Sequence, residues 1–392
     1  MRSFRNILVT GGCGFIGTNF IRFMFAQPEF TGRIINLDAL TYAGNPDNLT
    51  DIAARYGALP LKSAGATTRN GGDHGRYVFR HADIRDPETV NEICSGFNVD
   101  AIVHFAAESH VDRSILGPRA FMETNVLGTF NLLEAASRHW GLRGKTNGSP
   151  AAELLFHHVS TDEVFGSLGE SGYFREESPY DPKSPYSASK TASDHLVRAY
   201  GHTYGLPFTI SNCSNNYGPY QFPEKMLPLM ILNLLDGKEL PVYGDGRNIR
   251  DWLHVEDHAR AIWTVLRHGK AGGTYLVGGE NEWENIDLIK TLCAKIAART
   301  GIAETQYLAR IRFVADRPGH DRRYAIDCSR IKRELGWKRR YDFSEGLDRT
   351  IDWYLANSEW IGRIREGSYR AWIETNYTHR KSDREPSAIT AE

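Results

Sequence analysis

The apolar run Ile7-Leu8-Val9 leads directly into Gly11-Gly12-Cys13-Gly14-Phe15-Ile16-Gly17, where a helical pattern begins. A strand, a glycine turn and a helix in that order constrain the fold strongly: they call for a strand whose carboxyl end opens onto a helix N-terminus. Glycines there let the turn take unusual dihedrals and bring the backbone close to a pyrophosphate, which rests on the helix amides. Gly11, Gly14, Phe15, Ile16 and Gly17 are the residues placed to do this. Asp38 follows Gly17 by 21 residues, at the end of the next strand pattern, where a carboxylate grips an adenosine ribose. A carboxylate at that point repels a 2′-phosphate, which favours NAD over NADP.

The rhythm continues. Arg33–Leu37, Tyr77–His81, Ala101–Phe105 and Leu154–Ser160 read as further strands, and Gly17–Ala26, Pro87–Ser95, Arg119–His139 and Pro185–Tyr204 as helices. Such alternation predicts an α/β fold, a doubly wound parallel Rossmann sheet covered by helices on both faces. Residues 1–211 form this cofactor-binding part. Val255–Gly269 (helical) and Gly273–Gly278 (strand-like) are expected to return to it, within residues 250–279. Residues 212–249 and 280–392, richer in Pro, Asn and aromatics, are expected to make a smaller, loop-rich C-terminal lobe around a substrate. Glu345–Trp360 reads as one helix. Leu61–Arg76 and Gly141–Ala151 read as polar surface insertions, and Lys381–Glu392 as a frayed end.

Composition narrows the function mainly by exclusion. With 47 Lys and Arg against 48 Asp and Glu, neither nucleic acid nor an anionic membrane is indicated as a partner. No apolar run approaches the ~20 residues of a membrane span, and Ile7–Val9 is too short for a secretory leader. The five cysteines are odd in number and scattered, with no Cys-x-x-Cys pair, so no metal site is expected and a reducing cytoplasm is.

The chemistry concentrates in two segments. In Ser184-Pro185-Tyr186-Ser187-Ala188-Ser189-Lys190, a serine cap and a proline start a helix that puts Tyr186 and Lys190 on one face. A tyrosine of pKa ~10 becomes a usable base for an alcohol once an ammonium and a positive nicotinamide favour its phenolate. Thr161-Asp162-Glu163 ends a strand, with Thr161 placed to hold the hydroxyl that Tyr186 deprotonates. Two adjacent carboxyl groups can share one proton and supply an acid and a base together. Simple oxidation needs neither, whereas elimination of water needs both. A helix-capping role is the structural alternative for the pair. Asp83 and Ile84, then Ala106, Ala107 and Ser109, follow the third and fourth strands, where such sheets hold their ligands.

With these residues in place, the chain resembles the nucleotide-sugar branch of the extended short-chain dehydrogenase/reductases, and within it the dTDP-glucose 4,6-dehydratases. The resemblance rests on Leu40–Asn45, Ala106–Ser114, Asn212–Tyr220, Arg250-Asp251-Trp252 and Asp316–Asp321, and covers residues 7 to about 375. It implies a homodimer, joined through helices beside the Tyr186 helix, that oxidises C4 of dTDP-glucose with tightly held NAD. It then implies loss of water across C5 and C6, with Glu163 as base and Asp162 as acid, and reduction at C6. It adds Thr41, Thr124 and Asn216 to the cofactor residues. For the nucleotide sugar it implies Ser109, Thr161, Asn215, Lys225, Met226, Pro241, Val242, Tyr243, Arg250, Asn285, Arg317 and His320. The Leu61–Arg76 stretch departs from the family pattern without touching a motif. A dehydratase of another nucleotide sugar, a 4-epimerase or decarboxylase, and a silent NAD-binding regulator are the rival readings. The epimerase has no use for Asp162-Glu163, and the regulator none for Tyr186 and Lys190.

Overall fold

The computed structural model describes residues 1–57, 75–142, 153–316 and 318–366. Most of the two polar insertions, the C-terminal tail and Arg317 therefore lie outside the described residues. Six parallel strands, β1 (Asn6–Thr10), β2 (Arg33–Asp38), β3 (Tyr77–His81), β4 (Ala101–His104), β5 (Leu155–Thr161) and β6 (Phe208–Cys213), form one sheet with Gly273–Val277. Their spatial order is Gly273–Val277, β6, β5, β4, β1, β2, β3. The chain reverses direction across the sheet between β1 and β4, and in open α/β sheets that reversal makes a crevice at the strands' carboxyl ends.

Side chains alternate across each strand and so build two cores at once. Ile7 and Val9 pack with Phe20, Ile21, Ile262 and Leu266 on one face. Leu8 faces the other side with Ile102, Leu132, Leu133 and Val197. Helix α1 (Phe15–Ala26) and the helix Val255–His268 cover the first face together, and Gly273–Val277 pairs with β6 from Thr209 to Cys213.

Two helices differ from the sequence expectation. Arg119–His139 is not uniform: Pro118–Phe121 is α-helical, Met122–Gly128 is a π-helical segment, and Thr129–His139 is α-helical again. The wide turn seats Asn125, whose amide bonds both the N–H and the C=O of Glu108 at 2.8 and 3.0 Å and the Ser189 hydroxyl at 2.8 Å. Glu345–Trp360 is two helices, Phe343–Ala356 and Ser358–Glu366. The break at Asn357 brings the Trp360 indole N–H within 2.7 Å of the Asn48 side-chain oxygen.

The C-terminal part has a core of its own around Leu227, Ile231, Leu288, Leu292, Leu347 and Ile351. Its helices Met226–Leu235 and Asn285–Thr300 were not anticipated from the sequence. Seven of the ten residues in Met226–Leu235 are buried, so no polar face exists to give the run a helical period. Around that core, Asn215–Tyr217, Ile249–His254 and Glu282–Glu284 form a small sheet, and Leu240–Tyr243 pairs with Ile311–Val314. No described helix is long and apolar enough to cross a membrane.

Candidate active site

A cavity of about 390 Å³ opens at the carboxyl edge of the sheet and meets a second of about 150 Å³ on the C-terminal side. Gly11, Gly14, Phe15, Ile16 and Gly17 line the larger one beside Asp38, Thr41, Asp83 and Ile84. Ala106, Ala107, Ser109, Thr124 and Asn216 complete the sequence-predicted cofactor set along the same walls. Gly11 has φ +72°, and a Cβ on it would come within 2.7 Å of the Ala106 nitrogen. The turn and the end of β4 therefore meet backbone to backbone. Helix α1 begins at Gly14 with no side-chain cap and no acidic residue in its first turn, which leaves its amides to an anion. The Asp38 carboxylate accepts the Cys13 and Leu40 N–H groups, each at 2.8 Å. These features fit a dinucleotide pyrophosphate and ribose.

Farther along the same cavity come Thr161, Asp162, Glu163, Tyr186 and Lys190. The Tyr186 helix, Pro185–Tyr204, is set by Pro185 and by a reciprocal cap in which Ser184 and Ser187 bond each other's backbone N–H, and it ends at Gly205 with φ +69°. Its face delivers Lys190 under β5, where Nζ donates to the Val159 carbonyl at 2.9 Å. Burial lowers the ammonium pKa to about 8, and Asp194 acts to raise it. Asp162 is 1% exposed. Burial, then the charges of Glu163 and Asp251, push its carboxyl pKa well above the ordinary value against the pull of Arg250 and the Thr161 hydroxyl, which favours the protonated form. Thr161 bonds both neighbours: its hydroxyl lies 3.3 Å from Asp162 Oδ1 and is hydrogen-bonded to the Tyr186 phenol.

Tyr186 lines the larger cavity beside Lys190. Burial, then Glu163 and Cys213, push its phenol well above the usual value, against the pull of the Thr161 hydrogen bond. The protein's own groups thus hold Tyr186 neutral, and Lys190 does not by itself make a phenolate. A positive nicotinamide would supply the opposing charge.

Glu163, Asn215, Lys225 and Met226 line both cavities, and Pro241, Val242, Tyr243, Arg250, Asn285 and His320 line the smaller. Lys225 Nζ donates to the Ser109 carbonyl at 2.9 Å, and the Tyr243 hydroxyl reaches Asp112 at 3.1 Å. Arg250 is buried and stacks on Tyr324 at 4.3 Å, whereas Asp251 accepts the Gly279 and Asn281 N–H groups. A surface ion pair between these two residues is therefore excluded. His320 Nδ1 lies 2.6 Å from Asp316.

The geometry can be set beside known proteins. The family described as GDP-mannose 4,6 dehydratase matches residues 8–350. A dTDP-glucose 4,6-dehydratase from Shigella flexneri is 49% identical, across 96% of this chain and 99% of its own. The chain belongs to the nucleotide-sugar 4,6-dehydratase family. Among solved structures, a dTDP-glucose 4,6-dehydratase from Streptomyces venezuelae with NAD bound is 45% identical. Its TM-score is 0.79, over 92% of this chain and 99% of that one. A UDP-glucose 4-epimerase from Thermus thermophilus, in complex with NAD, is 26% identical with a TM-score of 0.73, over 90% of this chain and 99% of that one. The fold is thus shared by this chain, a dehydratase and an epimerase.

Membership in the dehydratase family also frames what the motifs did not reveal. Glu224 lines both cavities, and burial raises its carboxyl pKa to about 7 while Lys225 and Arg113 pull it down. Arg113 lies 3.8 Å over the Tyr42 ring and 3.6 Å from Glu224. Gln221, Trp252 and Tyr324 are further cavity residues outside the sequence-derived set. Each comes from a loop or short strand whose surroundings no local pattern encodes. Tyr42, Arg113 and Trp252 lie inside segments that carried the resemblance, and the Glu224-Lys225 pair beside Pro223 was a further local signal.

Proposed function

We propose that the chain is an NAD-dependent dTDP-glucose 4,6-dehydratase, a hydro-lyase forming dTDP-4-dehydro-6-deoxyglucose and water by internal redox. The observation that carries this is a buried Asp162 adjoining Glu163 in the cavity that also holds Tyr186 and Lys190, with its carboxyl pKa raised by that setting. The two identities of 49% and 45% to proteins of that name point the same way.

NAD, held by the cofactor residues, would supply the acceptor for the C4 hydride and the donor for its return at C6, with a proton restored at C5. Thr161 and Tyr186 hold the C4 hydroxyl, and Tyr186 removes its proton as the phenolate that a positive nicotinamide together with Lys190 would favour. The ketone at C4 acidifies the C5 proton, which Glu163 takes, while Asp162 protonates the leaving C6 hydroxyl so that it departs as water. A carboxyl biased toward its neutral form lets that step occur without first raising a charge in a dry cavity. Cofactor contacts fall to the set from Gly11 to Asn216. Ser109, Asn215, Lys225, Met226, Pro241, Val242, Tyr243, Arg250, Asn285, Arg317 and His320 hold the nucleotide sugar, with Lys225, Arg250 and His320 at the diphosphate.

Residues 1–211 with 250–279 bind the cofactor, and 212–249 with 280–392 bind the sugar; the pairing of Gly273–Val277 with β6 supports that division. A homodimer is supported by exposed Ile115, Leu116, Met122, Leu127 and Phe130 on helices packed beside the Tyr186 helix. A cytoplasmic setting is supported by five free cysteines.

Purified protein incubated with dTDP-glucose, without added NAD, should yield a nucleotide sugar lighter by one water, with no net accumulation of reduced cofactor. An unchanged mass, also with NAD added, would overturn the assignment.

A further inference from the structure

Lys190 is 4% exposed and has one close oxygen acceptor, the Val159 carbonyl. A buried ammonium costs several kcal/mol unless a counter-charge is near. One helical turn on stands Asp194, wholly buried and outside the cavity lining. Between them lies His158 of β5, whose Nε2 is 3.4 Å from Lys190 Nζ and 3.2 Å from Asp194 Oδ1. Burial and the charge of Lys190 lower the His158 pKa to about 4, so this imidazole is neutral. Asp194 behaves otherwise. Burial opposes its ionisation, but the His158 hydrogen bond, the charge of Lys190 and the Tyr180 hydroxyl hold its pKa below the ordinary value. Tyr180 donates to Oδ2 at 2.8 Å and the Asn212 amide at 3.2 Å, and Arg198 bonds Tyr180 in turn.

The other titratable groups facing Lys190 cannot serve. Burial raises the Cys213 thiol pKa to about 12, so it is uncharged. Tyr186 is neutral for the reasons given, and His104 of β4, held by Thr10 and Thr129, is pushed well below its usual value by burial, His158 and Lys190. Among the described residues packed against Lys190, Asp194 is the anion that acts on it.

We propose that Asp194, braced by His158, Tyr180 and Asn212, is a positioning residue whose charge keeps Lys190 protonated and so sets the alkaline limit of C4 oxidation. This rests on the dehydratase reading for its kinetic side only. The sign follows from the geometry: removing the anion lowers the Lys190 pKa, and Lys190 loses its proton at a lower pH.

The test is rapid-mixing reduction of the bound cofactor by dTDP-glucose across pH, in the holoenzyme and its Asp194→Asn and Asp194→Glu variants. Asp194→Asn should move the alkaline limb down by about one pH unit or more, the usual effect of an opposite charge at this range. Asp194→Glu should move it back toward the parent. An unmoved limb in Asp194→Asn would overturn the proposal. A thermal-melting cycle of Asp194→Asn, Lys190→Met and the double variant gives a second reading that needs no substrate. The double variant should lose less than the sum of the single losses, because each single change leaves a buried charge alone. Additive losses would overturn the coupling. If the parent itself fails to reduce its cofactor with dTDP-glucose, the substrate reading fails, and the melting cycle still decides the pairing.

Discussion

Asp162 and Asp194 are both fully buried aspartates within a few residues of Tyr186 or Lys190 in space, yet their pKa values are shifted in opposite directions. Asp162 is in the cavity wall, where Glu163 and Asp251 outweigh Arg250 among its charged neighbours and the Thr161 hydroxyl bonds Oδ1. Asp194 is in the packing between the catalytic helix and β5 and β6, where Tyr180, Asn212, His158 and Lys190 all offer protons or positive charge. Burial is common to both, so it cannot be what distinguishes them. The partners decide: a carboxyl among carboxyls keeps its proton and can act as an acid, and a carboxyl among donors loses it and acts as a fixed charge.

That contrast can be broken or sharpened experimentally. The largest effect should come from Tyr186→Phe, which removes the only group placed to take the C4 proton. Reduction of bound cofactor on mixing with dTDP-glucose should slow by about 10²–10⁴-fold, and a rate near that of the parent would remove Tyr186 from the role. Next, Asp162→Asn with Glu163→Gln should leave cofactor reduction in place while dehydrated product falls by about 10²-fold or more. Full turnover by that double variant would put the two-carboxyl mechanism aside.

Stability should separate the two aspartates by sign. The raised folded pKa of Asp162 means the unfolded chain binds fewer protons above the ordinary carboxyl range, so its contribution grows less favourable as pH rises toward the folded value. Asp162→Asn should therefore gain on the parent with increasing pH. The lowered pKa of Asp194 gives stability that is present above the ordinary value and lost as pH falls through the folded one. Asp194→Asn should cost about 1–3 kcal/mol at neutral pH, with the deficit shrinking in acid. Melting curves over a pH series read both, and parallel slopes would contradict the contrast. The smallest effect belongs to Tyr180→Phe, which removes one 2.8 Å hydrogen bond and leaves the Asp194 charge in place. About 0.5–1.5 kcal/mol is expected, with little change in turnover; a loss as large as that of Asp194→Asn would make the Tyr180 hydroxyl, not the Asp194 charge, the element that matters.

Legibility differed along the chain for physical reasons. Strand patterns at the four parallel strands β1 to β4 ended within a residue or so of the observed ones; β1, β2 and β4 are buried almost throughout, and strands buried on both faces are largely apolar runs with abrupt ends. The Pro185–Tyr204 helix was readable at both ends from Ser184, Pro185 and Gly205, whose effects are local. The π-helical turn at Met122–Gly128 was not readable, since it exists to bring Asn125 against Glu108 and Ser189, which are far away in sequence. Helix Met226–Leu235 escaped for the converse reason: with nearly every side chain buried, periodicity vanishes.

By itself the sequence determined the chemistry that short-range order can carry. The glycine turn next to β1, the i,i+4 spacing of Tyr186 and Lys190, and the adjacency of Asp162 and Glu163 are covalent facts that dihedral preferences translate directly into position. Only the tertiary structure decided how those groups are charged. It placed Glu163 where the two cavities join, left Asp162 among acids, and stacked Arg250 on Tyr324. It also set Asp194 and a neutral His158 against Lys190. Protonation depends on dielectric and on neighbours within a few ångströms, and those neighbours here come from segments up to a hundred residues apart.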